Sequence, residues 1–182
     1  QDSLIPMGSS VNLNKNPKFR VKAVGAFEQK SGCPDYTSTN ITEEEIEKIC
    51  KNECYNPSDI RKNISRIEVV KITPQISKEE NINNLIIDSW KTFDCKPNQQ
   101  GCEVEFIDED FTASSRDSIY YVRAIQEPSP VVNGGNLRCT YNDKGECIKV
   151  NICYGDSRTD KEDDCLSLSE ERAWSSPIYV NF

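Results

Sequence analysis

Between positions 19 and 27 the chain alternates. Phe19, Val21, Ala23, Gly25 and Phe27 share one parity, and Arg20, Lys22, Val24 and Ala26 the other. A period of two places each set on one face of a strand, so 19–27 is predicted to be β. The region 64–72 is rich in Ile and Val and is ended by Pro74, which predicts a second strand. Val104 and Phe106 alternate with Glu103, Glu105 and Ile107. The clearest strand is 118–126, with Tyr120, Val122 and Ala124 on one face and Ile119, Tyr121 and Ile125 on the other, stopped by Pro128 and Pro130. Segments 147–150 and 177–182 add two more, and the latter alternates Ile178, Val180 and Phe182. Residues 77–94 hold Leu85, Ile86, Ile87, Trp90 and Phe93 without a clean period.

One segment follows a different rule. Thr42 precedes Glu43, Glu44 and Glu45, and Lys48 and Lys51 lie toward the other end. Acidic groups at a helix start and basic groups at its end complement the macrodipole, so 42–52 is predicted to be a helix capped by Thr42. Ile46 and Ile49 form its predicted buried side. Many short strands with turn residues between them predict a mainly-β fold. The expected form is an antiparallel β-sandwich, Ig-like in general architecture, with one short helix and disulfide-stapled loops. Residues 1–17 carry one apolar knot, Leu4-Ile5-Pro6-Met7, and no second stripe to bury. They are read as an N-terminal arm or donor-like segment, and 18–182 as a single domain.

Composition narrows the function. The 182 residues include nine cysteines and no histidine. Without histidine the chain lacks the commonest general base and the commonest nitrogen ligand for metals. A net charge of −8 disfavours nucleic acid and anionic lipid as partners. No stretch has the length of apolar residues that a membrane span needs.

The cysteines read as disulfides of an oxidising compartment, which places the chain as secreted or at a cell surface. Cys95 and Cys102, Cys139 and Cys147, and Cys153 and Cys165 each bracket a polar turn or loop. Nearest-neighbour pairing is the simplest arrangement, although spacing leaves connectivity open. Cys33, Cys50 and Cys54 remain, and an odd count leaves one thiol without an intrachain mate. That thiol is either buried, bridged to another chain, or paired in an upstream part. Zinc on this trio would need a fourth ligand, and disulfides are the preferred reading.

The remaining motifs carry weaker chemistry. Asp108, Glu109 and Asp110 form one acidic run; Asp156, Asp160, Asp163 and Asp164 form another. Calcium is the one cofactor these loops suggest, and a solvated charge run is the commoner meaning. Asn40-Ile41-Thr42 and Asn63-Ile64-Ser65 are glycosylation sequons, with Asn40 and Asn63 as acceptors. Trp90 and Trp174 are read as core or sandwich-end residues rather than sugar platforms.

Several longer runs are distinctive. They are Cys33-Pro34-Asp35-Tyr36, Glu53-Cys54-Tyr55-Asn56-Pro57-Ser58-Asp59, Arg66-Ile67-Glu68-Val69-Val70 and Tyr120-Tyr121-Val122-Arg123-Ala124-Ile125-Gln126-Glu127-Pro128. Arg138-Cys139 and Glu170-Glu171-Arg172-Ala173-Trp174-Ser175-Ser176-Pro177-Ile178 complete the set. Together they resemble the C-terminal region of the bacterial family called domain of unknown function 3604, over nearly the whole chain. Larger members of that family resemble PHP-type metallohydrolases, with a metal site upstream of the region matched here. None of those ligands carries over. The resemblance also implies a β-strand ahead of Pro6-Met7-Gly8. A chain starting at Gln1 is expected to lack it and so to offer an open sheet edge.

Two functions are expected from these readings, neither of them catalytic for this chain. In the first, an extracellular structural subunit associates head-to-tail into a homo-oligomer or fibril. Leu4, Ile5 and Met7 of the arm would then anchor in a neighbour. In the second, the chain is the accessory domain of a secreted metal-dependent hydrolase, phosphoesterase-like, and its partner is an upstream catalytic domain.

Overall fold

A computed structural model describes residues 4–50, 54–134 and 138–182, with the side chain of Cys50 outside that description. The fold is mainly β. The first strands are β1 (Ser10–Asn12), β2 (Lys18–Ala23), β3 (Phe27–Gln29), β4 (Pro57–Arg61), β5 (Ile64–Ile72), β6 (Ile86–Asp94) and β7 (Cys102–Ile107). They are followed by β8 (Ser118–Gln126), β9 (Ser129–Val132), β10 (Cys139–Tyr141), β11 (Cys147–Val150), β12 (Leu166–Ser169), β13 (Arg172–Trp174) and β14 (Ile178–Asn181). Among the described residues two α-helices interrupt them, α1 (Glu43–Cys50) and α2 (Phe111–Ser114), one more than the pattern predicts. Neither is long and apolar enough to cross a membrane.

The main sheet runs β1-β14-β8-β5-β6, and β13 pairs with the far end of β8. Register decides its faces. Ile67 lies opposite Ala124, Val69 opposite Val122 and Lys71 opposite Tyr120. These positions turn the same way, toward the ribbon formed by β2 and β7. In the ribbon Phe19 pairs with Phe106, Val21 with Val104 and Ala23 with Cys102. The interleaved residues point outward, where Arg20 meets Glu103 and Lys18 meets Glu105 at 2.7 Å. The period-two pattern of 19–23 therefore buries one face and ionises the other.

Two clusters fill the space between ribbon and sheet. One gathers Ile64, Ile67, Cys102 and Ala124; the other gathers Phe111, Tyr120 and Val180. Phe19 stacks on Phe106 at 5.0 Å and packs on Tyr120 at 4.7 Å. The Cys95–Cys102 disulfide ties the end of β6 to the start of β7 beside the first cluster.

Four departures from the pattern have physical causes. The alternation over 19–27 breaks between β2 and β3, because Gly25 passes against the backbone of Lys62. The lost period in 77–94 is a bulge in β6. Val69 pairs with Lys91 and Lys71 with Ile87, so three β6 residues stand against one of β5, and Ser89 there takes a φ of 52°. Pro130 lies within β9, which among the described residues pairs on one side, with β12. Ile49 is exposed, and α1 docks through Ile46. Thr42 does cap α1: its hydroxyl accepts from the Glu45 N–H, and Glu45 returns to the Thr42 N–H. Positions 51 and 52 of the predicted helix lie outside the described residues.

Residues of the predicted arm pack on their own chain. β1 pairs in parallel with β14, Gly8 N–H donates to Pro177 O, and Leu13 N–H donates to Asn181 O. β1, which lies within the segment read as an arm, thus covers the β14 edge, while the proposed anchors Leu4, Ile5 and Met7 lie ahead of it.

Candidate functional site

Two features stand out, one open and one buried. The open one is a groove of about 580 Å³ between the start of the chain, β2 and the β8–β13 pair. Val21, Ala23, Val122 and Ala124 form much of its lining, and Met7, Val24 and Trp174 stand on it 64, 52 and 61 % exposed. Trp174 is therefore not the core residue its context suggests. It sits at the end of β13 opposite Arg123, where the strand has left the covered part of the sheet. Ser175 holds the turn after it, its hydroxyl accepting from Val122 N–H at 3.0 Å.

One end of the groove is fixed by polar bonds. Gln126 is buried, accepts from Ala26 N–H at 2.8 Å and donates to Glu171 at 2.9 Å. Glu171 also takes Lys62 Nζ at 2.8 Å, and Arg61 donates to Gly25 O. These bonds hold the chain near Ala26 against β8 and Glu171, and so hold the groove open.

The buried feature is Lys71, Asp108 and Tyr120. Lys71 Nζ and the Tyr120 hydroxyl both donate to Asp108 Oδ2, each at 2.5 Å, and Asp110 N–H donates to Oδ1 at 3.1 Å. Asp108 is wholly inaccessible and Lys71 is 8 % exposed. The acidic run at 108–110 is thus split: Glu109 and Asp110 face solvent, and Asp108 does not. Its N–H donates to Pro17 O, and three residues on the buried Phe111 opens α2. Burial pushes the Asp108 carboxyl up, but Lys71 and the Tyr120 hydroxyl outweigh it and leave it below the usual range. Burial and the same carboxylate push the Tyr120 phenol up. Lys71 was legible only as a break in the apolar run of β5; nothing in the sequence pairs it with Asp108.

On the opposite face of the main sheet lies an ion network. Arg66 grips Glu170 with two bonds, at 2.6 and 2.9 Å, and also bonds Glu68, which bonds Arg123. The Arg66 bonds hold the Glu170 carboxyl below its ordinary value. A depressed carboxyl stabilises the fold above its unfolded value and loses that contribution as pH falls through the folded one. Glu170→Gln is therefore expected to cost about 1 kcal/mol at neutral pH. The difference from the native chain should shrink below the ordinary glutamate value of about 4.3. Urea unfolding of both chains across that range checks it, and a gap that widens in acid refutes it.

The other predicted residues fall as follows. Cys33–Cys54, Cys95–Cys102, Cys139–Cys147 and Cys153–Cys165 are disulfides, and the side chain of the ninth cysteine, Cys50, lies outside the described residues. Leu4 and Met7 project into solvent, and Ile5 is 40 % exposed. Asn40 is exposed. Asn63 is half-buried and donates to both Glu127 oxygens, so a glycan there would displace an existing bond. Asp156 is tied to Arg158 and Asp163 to Arg138, and among the described residues no three metal-ligating side chains converge. Trp90 lies in the β6 bulge and packs on Phe106 and Tyr120. No family model, curated protein or solved structure matches this chain.

Proposed function

We propose that this chain is a non-catalytic docking module of a secreted or cell-surface protein, the accessory domain of a metal-dependent hydrolase. The observation that carries the reading is the groove, where Met7, Val24 and Trp174 form an apolar surface outside the core. Exposed apolar patches of this kind mark protein contact sites. Four disulfides fit an oxidising compartment. The resemblance to domain of unknown function 3604 supplies the class of partner, a metal-binding catalytic domain on the same polypeptide.

The gene immediately upstream of the Gln1 codon is the first test. A histidine-rich metal domain in frame supports the reading, and a leader alone overturns it. Hydrogen exchange then compares the isolated chain with the joined protein. Protection of amides at 21–25 and 172–175 that appears only in the joined form is expected. Equal protection in both forms overturns docking through the groove.

End-to-end self-association is the second reading, favoured by the exposure of Leu4 and Met7. It predicts concentration-dependent oligomers that Leu4→Asp with Met7→Asp removes. A monomer at every concentration in sedimentation overturns it.

A further inference from the structure

We propose that Lys71 and Asp108 condense into an amide, an intramolecular cross-link between the main sheet and the ribbon that faces it. This inference is independent of the docking role. Nζ and Oδ2 stand at 2.5 Å, which puts the nitrogen within reach of Cγ. Both groups sit on fixed backbone: Lys71 paired with Tyr120 one residue from the end of the β5–β8 ladder, Asp108 one residue past β7. Groups held together in this way react with effective molarities of ~10⁵–10⁸ M, which offsets the ordinary reluctance of an amine and an acid to condense in water.

The surroundings supply the remaining requirements. The Lys71 ammonium lies 5.2 Å from the centre of the Trp90 ring, and the aromatic cluster around Tyr120 excludes water. The reacting form is the one in which a proton has passed along the short hydrogen bond from Nζ to Oδ2, leaving a free amine and a carboxylic acid. The Nζ lone pair then attacks Cγ. Negative charge gathers on Oδ1, which Asp110 N–H already faces at 3.1 Å. The Tyr120 hydroxyl gives its proton to Oδ2 and recovers one from the nitrogen. Oδ2 departs as water, having taken up two protons in all, and the C–N bond replaces the C–O bond. Nothing is oxidised or reduced, and no other reactant is needed. Two buried charges become one neutral amide.

The test is the intact mass of the native chain, fully reduced and denatured. The expected mass is below the sequence mass by one water, with a branched peptide that joins Lys71 to Asp108 after digestion. Lys71→Arg keeps a cation beside Asp108 but offers no nucleophilic lone pair, since guanidinium stays protonated. That variant is expected to carry its full sequence mass. The native measurement stands whether or not the variant folds. A native chain at full sequence mass overturns the proposal and leaves a buried ion pair. So does a water loss carried by an unbranched peptide, which marks a cyclic imide at Asp108. Cyclisation of Gln1 loses ammonia instead and maps to the first peptide.

Discussion

Asp108→Ala is expected to lower the stability of this protein by about 3–5 kcal/mol, the largest effect of any single side-chain truncation here. The substitution strands Lys71, which is 8 % exposed, without the carboxylate that it faces. It also removes the acceptor of the buried Tyr120 hydroxyl. A buried cation with no partner must either deprotonate or draw water into an aromatic cluster, and both weaken the fold. Adding Lys71→Met removes the stranded charge and should recover part of the loss. Urea unfolding at neutral pH measures both chains. A loss below about 1 kcal/mol for Asp108→Ala, the size of a surface pair, would sink this account.

Gly25→Ala should cost about 3 kcal/mol or more, and for a different reason. A Cβ built there meets Lys62 O at 1.8 Å and its carbonyl carbon at 2.8 Å, so it strikes backbone and not a movable side chain. Lys62 cannot retreat cheaply. Its N–H bonds Ala26 O, and its ammonium bonds Glu171 and Ser129. Gly145→Ala is the control. Gly145 has a φ of 76° and nothing within 4 Å of its Cβ position, so it suffers backbone strain without a clash. That variant should cost about 1 kcal/mol. Equal thermal shifts for the two would show that the close approach at Gly25 is not what demands glycine. Because Gly25 lines the groove, its variant should also weaken docking there.

Much of the fold was legible along the chain. β5, β7, β8 and β14 follow from alternation or from Ile and Val content. The N-cap of α1 follows from Thr42 and Glu45, where local hydrogen bonds alone decide the outcome. Bulges were not legible, because the two extra residues of β6 destroy the period that reveals a strand. The four-residue α2 was also hidden, since one buried residue, Phe111, leaves no periodicity.

The candidate sites divide in the same way. The cysteine content and the missing histidine are properties of composition, and they point to stapled loops and away from histidine chemistry before any coordinate is known. The sequence by itself also determined which face of β2 is apolar, because a strand's two faces are set by parity. Only the tertiary structure placed Trp174 outside the core, since exposure depends on which strands end beside it. It paired residues 10–12 with 179–181 of β14, a contact that no local signal encodes. It also brought Lys71 to Asp108 across 37 positions of sequence. Solvent exclusion and long-range register arise when two layers close on each other, and neither is a property of a residue or of its neighbours along the chain.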